Sequence, residues 1–202
     1  MEQLALFAEA GQSKGLPKEY LEYFPKLIHP STGQQLLERF IKETPWQQQT
    51  RIIYTKEVVT PRLTAWYGDP QVYDYQSLKS TVPSAWTPEL LMIKEMVEPL
   101  AGVRFNSVLL NYYRDGNDSV AWHSDKEEIL GKNPVIASVS FGQVRNFDVR
   151  NKLDHQEHYS VKLEHGSFLL MKAGLQENWE HRIAKSTRPM RPRVNLTFRI
   201  VK

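Results

Sequence analysis

A histidine and an aspartate two residues apart, His123-Ser124-Asp125, put an imidazole and a carboxylate on the same face of an extended strand. Together they make two thirds of a 2-His-1-carboxylate facial set, the ligand arrangement suited to non-haem iron. The pair closes a stretch running from Asn111 to Glu127. That stretch leaves an apolar run (Phe105, Val108, Leu109, Leu110), turns at Asp115-Gly116-Asn117 and returns through the pair. Alone, the pair carries little weight. With 6 histidines and 23 acidic residues among 202, such a spacing arises by chance, and His155-Gln156-Glu157, in a polar stretch that reads as a surface hairpin, is another instance.

The final strand-like run adds a second chemical feature. Arg193-Val194-Asn195-Leu196-Thr197-Phe198-Arg199-Ile200 alternates strictly, with Val194, Leu196, Phe198 and Ile200 on one face and Arg193, Asn195, Thr197 and Arg199 on the other. If both faces are covered, the polar face lines a cavity, and arginines there need anions. The two arginine Cα atoms stand roughly 20 Å apart along such a strand. Side chains reaching toward each other leave a gap of about 6–8 Å, suited to a short dicarboxylate such as 2-oxoglutarate held by bidentate pairing. Alternation alone fits equally well an edge strand whose arginines face water. A third metal ligand has to be another histidine. His181, in the short strand-like run Asn178-Trp179-Glu180-His181-Arg182-Ile183, is the better candidate; His165, in the turn-like His165-Gly166-Ser167, is its rival. His29, His155 and His158 sit in polar or loop contexts and read as surface residues.

The elements that must position these groups are legible in outline. Residues 1–20, with Gly11, Gly15 and Pro17, read as an N-terminal arm, and residues 21–202 as one domain. Pro30-Ser31-Thr32 with Leu36, Leu37, Phe40 and Ile41 predicts an amphipathic helix with hydroxyl caps, ending before Pro45. Arg51–Thr60 reads as one strand, and the aromatic-dense Pro61–Gln76 as a strand and a loop. Thr87-Pro88 opens a second helix, which Leu90, Ile93, Val97 and Leu100 carry to a stop before Gly102. From Arg104 the period becomes two, with strand-like runs at 104–113, 135–142, 145–150, 157–163, 166–172, 178–183 and 193–201. Two helices followed by many short strands predict an α+β, mainly β chain: an antiparallel jelly roll (double-stranded β-helix) with helices packed outside.

Composition narrows the chemistry. The chain has no cysteine, which excludes disulfides and thiolate metal sites, so any metal takes nitrogen and oxygen ligands. No apolar run is long enough to span a bilayer. The start lacks a basic n-region and carries Glu2 and Glu9, so it does not read as a secretory signal. The expectation is a cytoplasmic protein, or a nuclear one in a eukaryote, with no membrane partner. A net charge of +3 permits a polyanionic partner without demanding one.

Taken together, Asn-x-Tyr-x-x-Gly-x-Asp-x-x-x-x-His-x-Asp-x-Glu at 111–127, His181, and Arg-x-Asn-Leu-Thr-Phe-Arg at 193–199 resemble the AlkB family of iron- and 2-oxoglutarate-dependent dioxygenases. The similarity extends through Pro61-Arg62, Tyr67-Gly68-Asp69, Ser140-Phe141-Gly142, Arg145-Asn146-Phe147 and His165-Gly166-Ser167. It covers residues 50–201 and is closest to the DNA-repair branch. The resemblance implies that His123, Asp125 and His181 bind Fe(II). It implies that Arg193 and Arg199 hold the carboxylates of 2-oxoglutarate, with Asn111, Tyr113 and Thr197 hydrogen-bonding it, and that O2 is the other cosubstrate. A nucleotide-recognition segment falls at about 50–80. Tyr73 and Tyr75 fall where the family places aromatic residues around the target base, and Glu127 matches an acidic position beside the pocket. Lys126 departs from relatives with Asp there. The implied activity is oxidative demethylation of 1-methyladenine and 3-methylcytosine in DNA, with succinate and formaldehyde as products, by a monomer. Arg182, Lys185, Arg188 and Arg191, the densest basic run, are candidates for phosphate contacts; a solvated loop is the plain alternative. RNA, a non-nucleic substrate, or a non-catalytic nucleic-acid-binding jelly roll are the competing functions.

Overall fold

A computed structural model describes residues 17–53, 56–70, 83–125 and 128–202. The chain opens with strand β1 (Leu21–Phe24), helix α1 (Pro30–Glu43) and strands β2 (Gln47–Ile53) and β3 (Lys56–Gly68). Helix α2 (Pro88–Ala101) follows, then β4 (Ser107–Tyr113), β5 (Val120–His123), β6 (Ile136–Gly142), β7 (Arg145–Asn151), β8 (His158–Leu163) and β9 (Ser167–Met171). A short helix α3 (Leu175–Asn178) leads into β10 (Trp179–Ile183), and β11 (Arg193–Arg199) ends the sheet.

The strands form two antiparallel sheets, a seven-stranded one in the order β1-β9-β6-β11-β4-β3-β2 and a four-stranded one in the order β5-β10-β7-β8. This is the expected jelly roll. Strand β11 lies at the centre of the larger sheet, between β4 and β6, so the edge-strand alternative for its arginines does not hold. Its apolar face, with Val194, Leu196 and Phe198, packs in one core with Leu36, Leu37 and Phe40 of α1 and Leu90, Ile93 and Val97 of α2. Each aliphatic side chain fully buried there contributes about 1.5–3 kcal/mol. The polar face of β11 lines a cavity between the sheets, walled in part by Phe147 and Met171 of a second core that also holds Val149, Leu169 and Trp179. No described helix is long and apolar enough to cross a membrane.

Local signals and structure agree at the helices, with one correction. In α2 the Thr87 hydroxyl accepts from the Leu90 N–H, and Gly102 ends the helix in the left-handed region at φ 68°, a conformation glycine adopts without strain. In α1 the cap is His29, whose Nδ1 accepts from the Ser31 N–H, rather than a serine or threonine hydroxyl. Pro30 at the first turn removes a donor that would otherwise need one.

The single strand expected at 51–60 divides into the end of β2 and the start of β3. Strand β3 then runs through Pro61, which a central ladder position would exclude. The β2–β3 register shifts between Gln48↔Leu63 and Thr50↔Val59, and β4 pairing begins only at Leu63, so the proline sits in the bulge. Strand β1, placed at the edge of the large sheet against β9, and helix α3 carry no strong local signal in the sequence.

Candidate active site

Strands β5 and β10 are neighbours in the smaller sheet, and His123 lies directly opposite His181. Their ring centroids stand 4.3 Å apart. Asp125 follows two residues beyond His123, past the end of β5. One ligand atom from each of His123, Asp125 and His181 falls within 4.8 Å of the others, and no other such cluster occurs among the described residues. Phe147 stacks on His181 at 4.9 Å, which fixes that ring from behind.

The protonation states suit a metal. Burial pushes His181 down to about 3, against the pull of the Asp125 charge, so its imidazole is neutral near pH 7. Burial works to raise the Asp125 carboxyl, but the Arg199 charge, together with the hydrogen bond Arg199 donates, outweighs it and holds it below its ordinary value. A neutral imidazole and an ionised carboxylate are the forms that bind iron. The His181 Nδ1 is buried with no hydrogen-bond partner.

These three residues stand in the wall of a cavity of about 600 Å³ between the sheets, which Asn111, Tyr113, Arg193, Thr197 and Arg199 also line. Arg193 is 1% exposed. It donates from Nη2 to Ser140 Oγ at 3.0 Å and lies over the Tyr113 ring at 4.9 Å, while its Nε and Nη1 have no partner. A buried cation with two uncommitted nitrogens, Nε and Nη1, calls for an anion. Arg199 at the other end donates from Nη2 to Asp125 Oδ1 at 3.1 Å, so it orients the carboxylate of the triad as well as facing the cavity. Between them Thr197 donates to Asn195 Oδ1, and the Asn195 amide donates to Ser138 Oγ and Val139 O. The donor set fits Fe(II), and Arg193 fits a carboxylate of 2-oxoglutarate.

A family model described as the 2OG-Fe(II) oxygenase superfamily matches residues 20–199. The chain is 39% identical over 185 residues to the alpha-ketoglutarate-dependent dioxygenase alkB homolog 3 of Bos taurus, covering 88% of this chain and 64% of that protein. To the DNA oxidative demethylase ALKBH2 of Bos taurus it is 37% identical over 196 residues, covering 93% of this chain and 70% of that one. The chain belongs to the 2OG-Fe(II) oxygenase superfamily, among its AlkB homologues. The solved structure of OsALKBH1 has the same fold, with a TM-score of 0.60 at 17% identity over 89% of this chain and 97% of that one. Fe(II) and 2-oxoglutarate are the cofactor and cosubstrate for which the superfamily is named. The chain spans less than two thirds of the length of the alkB homolog 3 proteins it matches, 64% for that of Bos taurus and 65% for that of Homo sapiens.

Other residues singled out from the sequence of this AlkB homologue fall in several places. His165 does not line the cavity. Its Nδ1 accepts from the Gly142 N–H and its Nε2 faces Pro30 O, which latches α1 to the sheet. Gly33 makes room for it, since a Cβ there would meet His165 Nε2 at 2.6 Å. Of the aromatic-dense stretch, Tyr67 is buried in the first core, and Trp66 donates to Ser107 Oγ. Tyr73, Tyr75, Lys126 and Glu127 lie outside the described residues. Arg182 lines the cavity and pairs with Asp148 at 3.0 Å. Lys185, Arg188 and Arg191 are exposed on the connection from β10 to β11.

That connection is tied down: the Ser186 N–H donates to Gly116 O at 2.8 Å. Gly116 permits the approach, because a Cβ there would meet Ser186 O at 2.6 Å.

Several polar groups escaped the sequence reading. Arg62 donates to Asn111 Oδ1 at 2.7 Å, and Arg150 and Arg182 lie over the Trp122 ring at 4.1 and 4.5 Å. Arg145, 5% exposed, donates to the carbonyls of Asp115, Asp118 and Ala184, clamping the loop before β5 to the end of β10. Gln176, 2% exposed, accepts from the Asp125 N–H at 2.9 Å. Of these, Arg62 and Arg145 had a signal as parts of the Pro61-Arg62 and Arg145-Asn146-Phe147 motifs, and Arg182 as part of the basic run, though not for its place against Trp122.

Proposed function

We propose that this protein is an oxidative demethylase of N-alkylated bases in DNA, with 1-methyladenine and 3-methylcytosine as substrates, acting as a monomer in the cytoplasm or in the nucleus of a eukaryote. The observation that carries the reading is a cavity holding two chemically matched sets: the His123, Asp125 and His181 donors within 4.8 Å of one another, and Arg193 with two buried nitrogens lacking partners. The demethylase name of a relative 37% identical over 93% of the chain supports nucleic acid as the substrate.

In this reading His123, Asp125 and His181 hold Fe(II). Arg193 takes one carboxylate of 2-oxoglutarate, with Asn111, Tyr113 and Thr197 hydrogen-bonding the molecule. Arg199 faces the other carboxylate and keeps Asp125 ionised and oriented. Bound iron and 2-oxoglutarate with O2 supply the oxidation of the methyl group, giving succinate, carbon dioxide, formaldehyde and the repaired base. Tyr73 and Tyr75 stack on the flipped base, and the Glu127 carboxylate favours the positive charge that N-methylation gives it. Arg182, Lys185, Arg188 and Arg191 meet phosphates.

Anaerobic reconstitution with Fe(II) and 2-oxoglutarate, followed by aerobic assay on methylated DNA and RNA oligonucleotides, tests the proposal. Formaldehyde release with DNA supports it. Release with RNA alone moves the substrate, and succinate formation with neither points to a non-nucleic target.

A further inference from the structure

Asp125 differs from the two histidines in how its backbone is held. His123 and His181 are cross-strand partners, so the ladder itself fixes them. Asp125 lies beyond the last residue of β5, where no ladder reaches. Its N–H donates instead to the side-chain carbonyl of Gln176 at 2.9 Å.

Gln176 is itself held. It is 2% exposed, and its amide points to Met171 Sδ at 3.7 Å. The short helix that carries it is fastened by Lys152 Nζ, which donates to the carbonyls of Gln176 and Glu177. The intervening Ser124 donates its hydroxyl to Trp179 O at 2.9 Å. The segment from Gln176 to His181 thus grips the segment from His123 to Asp125 at three successive points: a side-chain amide, a hydroxyl and a strand pair.

We propose that Gln176 is a positioning residue of the metal centre, its side-chain carbonyl replacing the ladder partner that Asp125 lacks. This deepens the function proposed above and rests on His123, Asp125 and His181 being the ligands. The physical argument is one of preorganisation. A carboxylate on an untethered backbone must be ordered when the metal binds, and that entropy weakens affinity. Arg199 fixes the carboxylate oxygen; Gln176 fixes the main chain from which it hangs. Outer partners of this kind cost about 10–100-fold in metal affinity when removed.

The test is titration of Mn(II) into metal-free protein, with the melting temperature of the metal-free form recorded alongside. Gln176→Met fills the same volume without an acceptor, and is expected to weaken Mn(II) binding at least tenfold while the melting temperature holds. Gln176→Glu keeps an acceptor oxygen toward the Asp125 N–H in either protonation state, and is expected to bind Mn(II) within about threefold of wild type. Wild-type affinity in Gln176→Met overturns the proposal. Should that variant melt early, Gln176→Glu decides: retained affinity supports the role, and a tenfold loss despite the acceptor overturns it. Asp125→Ala separates the two levels, because undiminished Mn(II) binding there removes the metal-centre reading itself, whereas lost binding there with wild-type binding in Gln176→Met removes only the role of Gln176.

Discussion

Replacing Arg193 with methionine tests the anion side of the site. The side chain is 1% exposed and carries a guanidinium whose own basicity is lowered by burial. One N–H group is satisfied by Ser140, and two atoms, Nε and Nη1, have no partner. A charge-assisted hydrogen bond contributes about 1.5–3 kcal/mol. Two such bonds to a carboxylate set an upper range of about 3–6 kcal/mol. The lower end is the safer expectation, since one carboxylate is solvated before it binds. A loss of about 3 kcal/mol is a little over 100-fold in Kd.

The same structure fixes the sign of a second effect. With no anion bound, the cation is buried and partly unsatisfied, so methionine of similar length relieves a desolvation cost. The unliganded variant should therefore melt at the wild-type temperature or above, although the contact with the Tyr113 ring is lost. Isothermal titration of 2-oxoglutarate into the Mn(II)-loaded protein measures the first effect, and thermal melts with and without 2-oxoglutarate the second. An unchanged Kd would falsify the reasoning. So would a variant that melts well below wild type without ligand, because the arginine would then be structural.

Four further outcomes test the proposed roles. His123→Ala, Asp125→Ala and His181→Ala should each abolish iron-dependent succinate formation with the fold intact by circular dichroism, while His165→Ala should retain it; the reverse for His181 and His165 would move the third ligand. Tyr73→Ala or Tyr75→Ala should cost about 1–3 kcal/mol of base stacking, lowering formaldehyde release but sparing DNA-independent succinate formation, and Glu127→Gln should harm cationic lesions more than neutral ones; a parallel fall of both products with a lower melting temperature would make the tyrosines structural. Arg188→Ala with Arg191→Ala should weaken DNA binding and flatten its salt dependence by about 0.7–0.9 in slope per phosphate contact removed; an unchanged slope would leave the run as a solvated loop. Burial opposes ionisation of Asp118, yet its hydrogen bonds from Arg114 and the Arg114 and Arg145 charges hold its carboxyl below the ordinary value. A depressed carboxyl gives stability that is present above the unfolded-state value and lost as pH falls through the folded one, so Asp118→Asn should flatten the acid limb of melting temperature against pH, and an unaltered limb would refute the coupling.

Features that depend on neighbours within a few residues are legible in the chain's own order. Thr87-Pro88 and Gly102 bound a helix because capping and left-handed backbone are local matters. The alternation of Arg193, Asn195, Thr197 and Arg199 against Val194, Leu196 and Phe198 declares two faces, because a strand's side chains have period two. His123 and Asp125 stand out as candidate ligands only in company with motifs far along the chain.

Strand order decided the rest. Which alternation faces a cavity was settled when β11 took the centre of the sheet between β4 and β6. His181 rather than His165 reaches the pair because β10, which carries His181, lies beside β5, whereas His165 leads into β9 of the other sheet. Arg199 meets Asp125 across 74 residues, and Gln176 meets the same aspartate across 51, in a short helix with no period to announce it. A single buried hydrogen bond between distant residues leaves no pattern in either segment, since any polar side chain of suitable length looks the same until the backbone brings its partner within 3 Å.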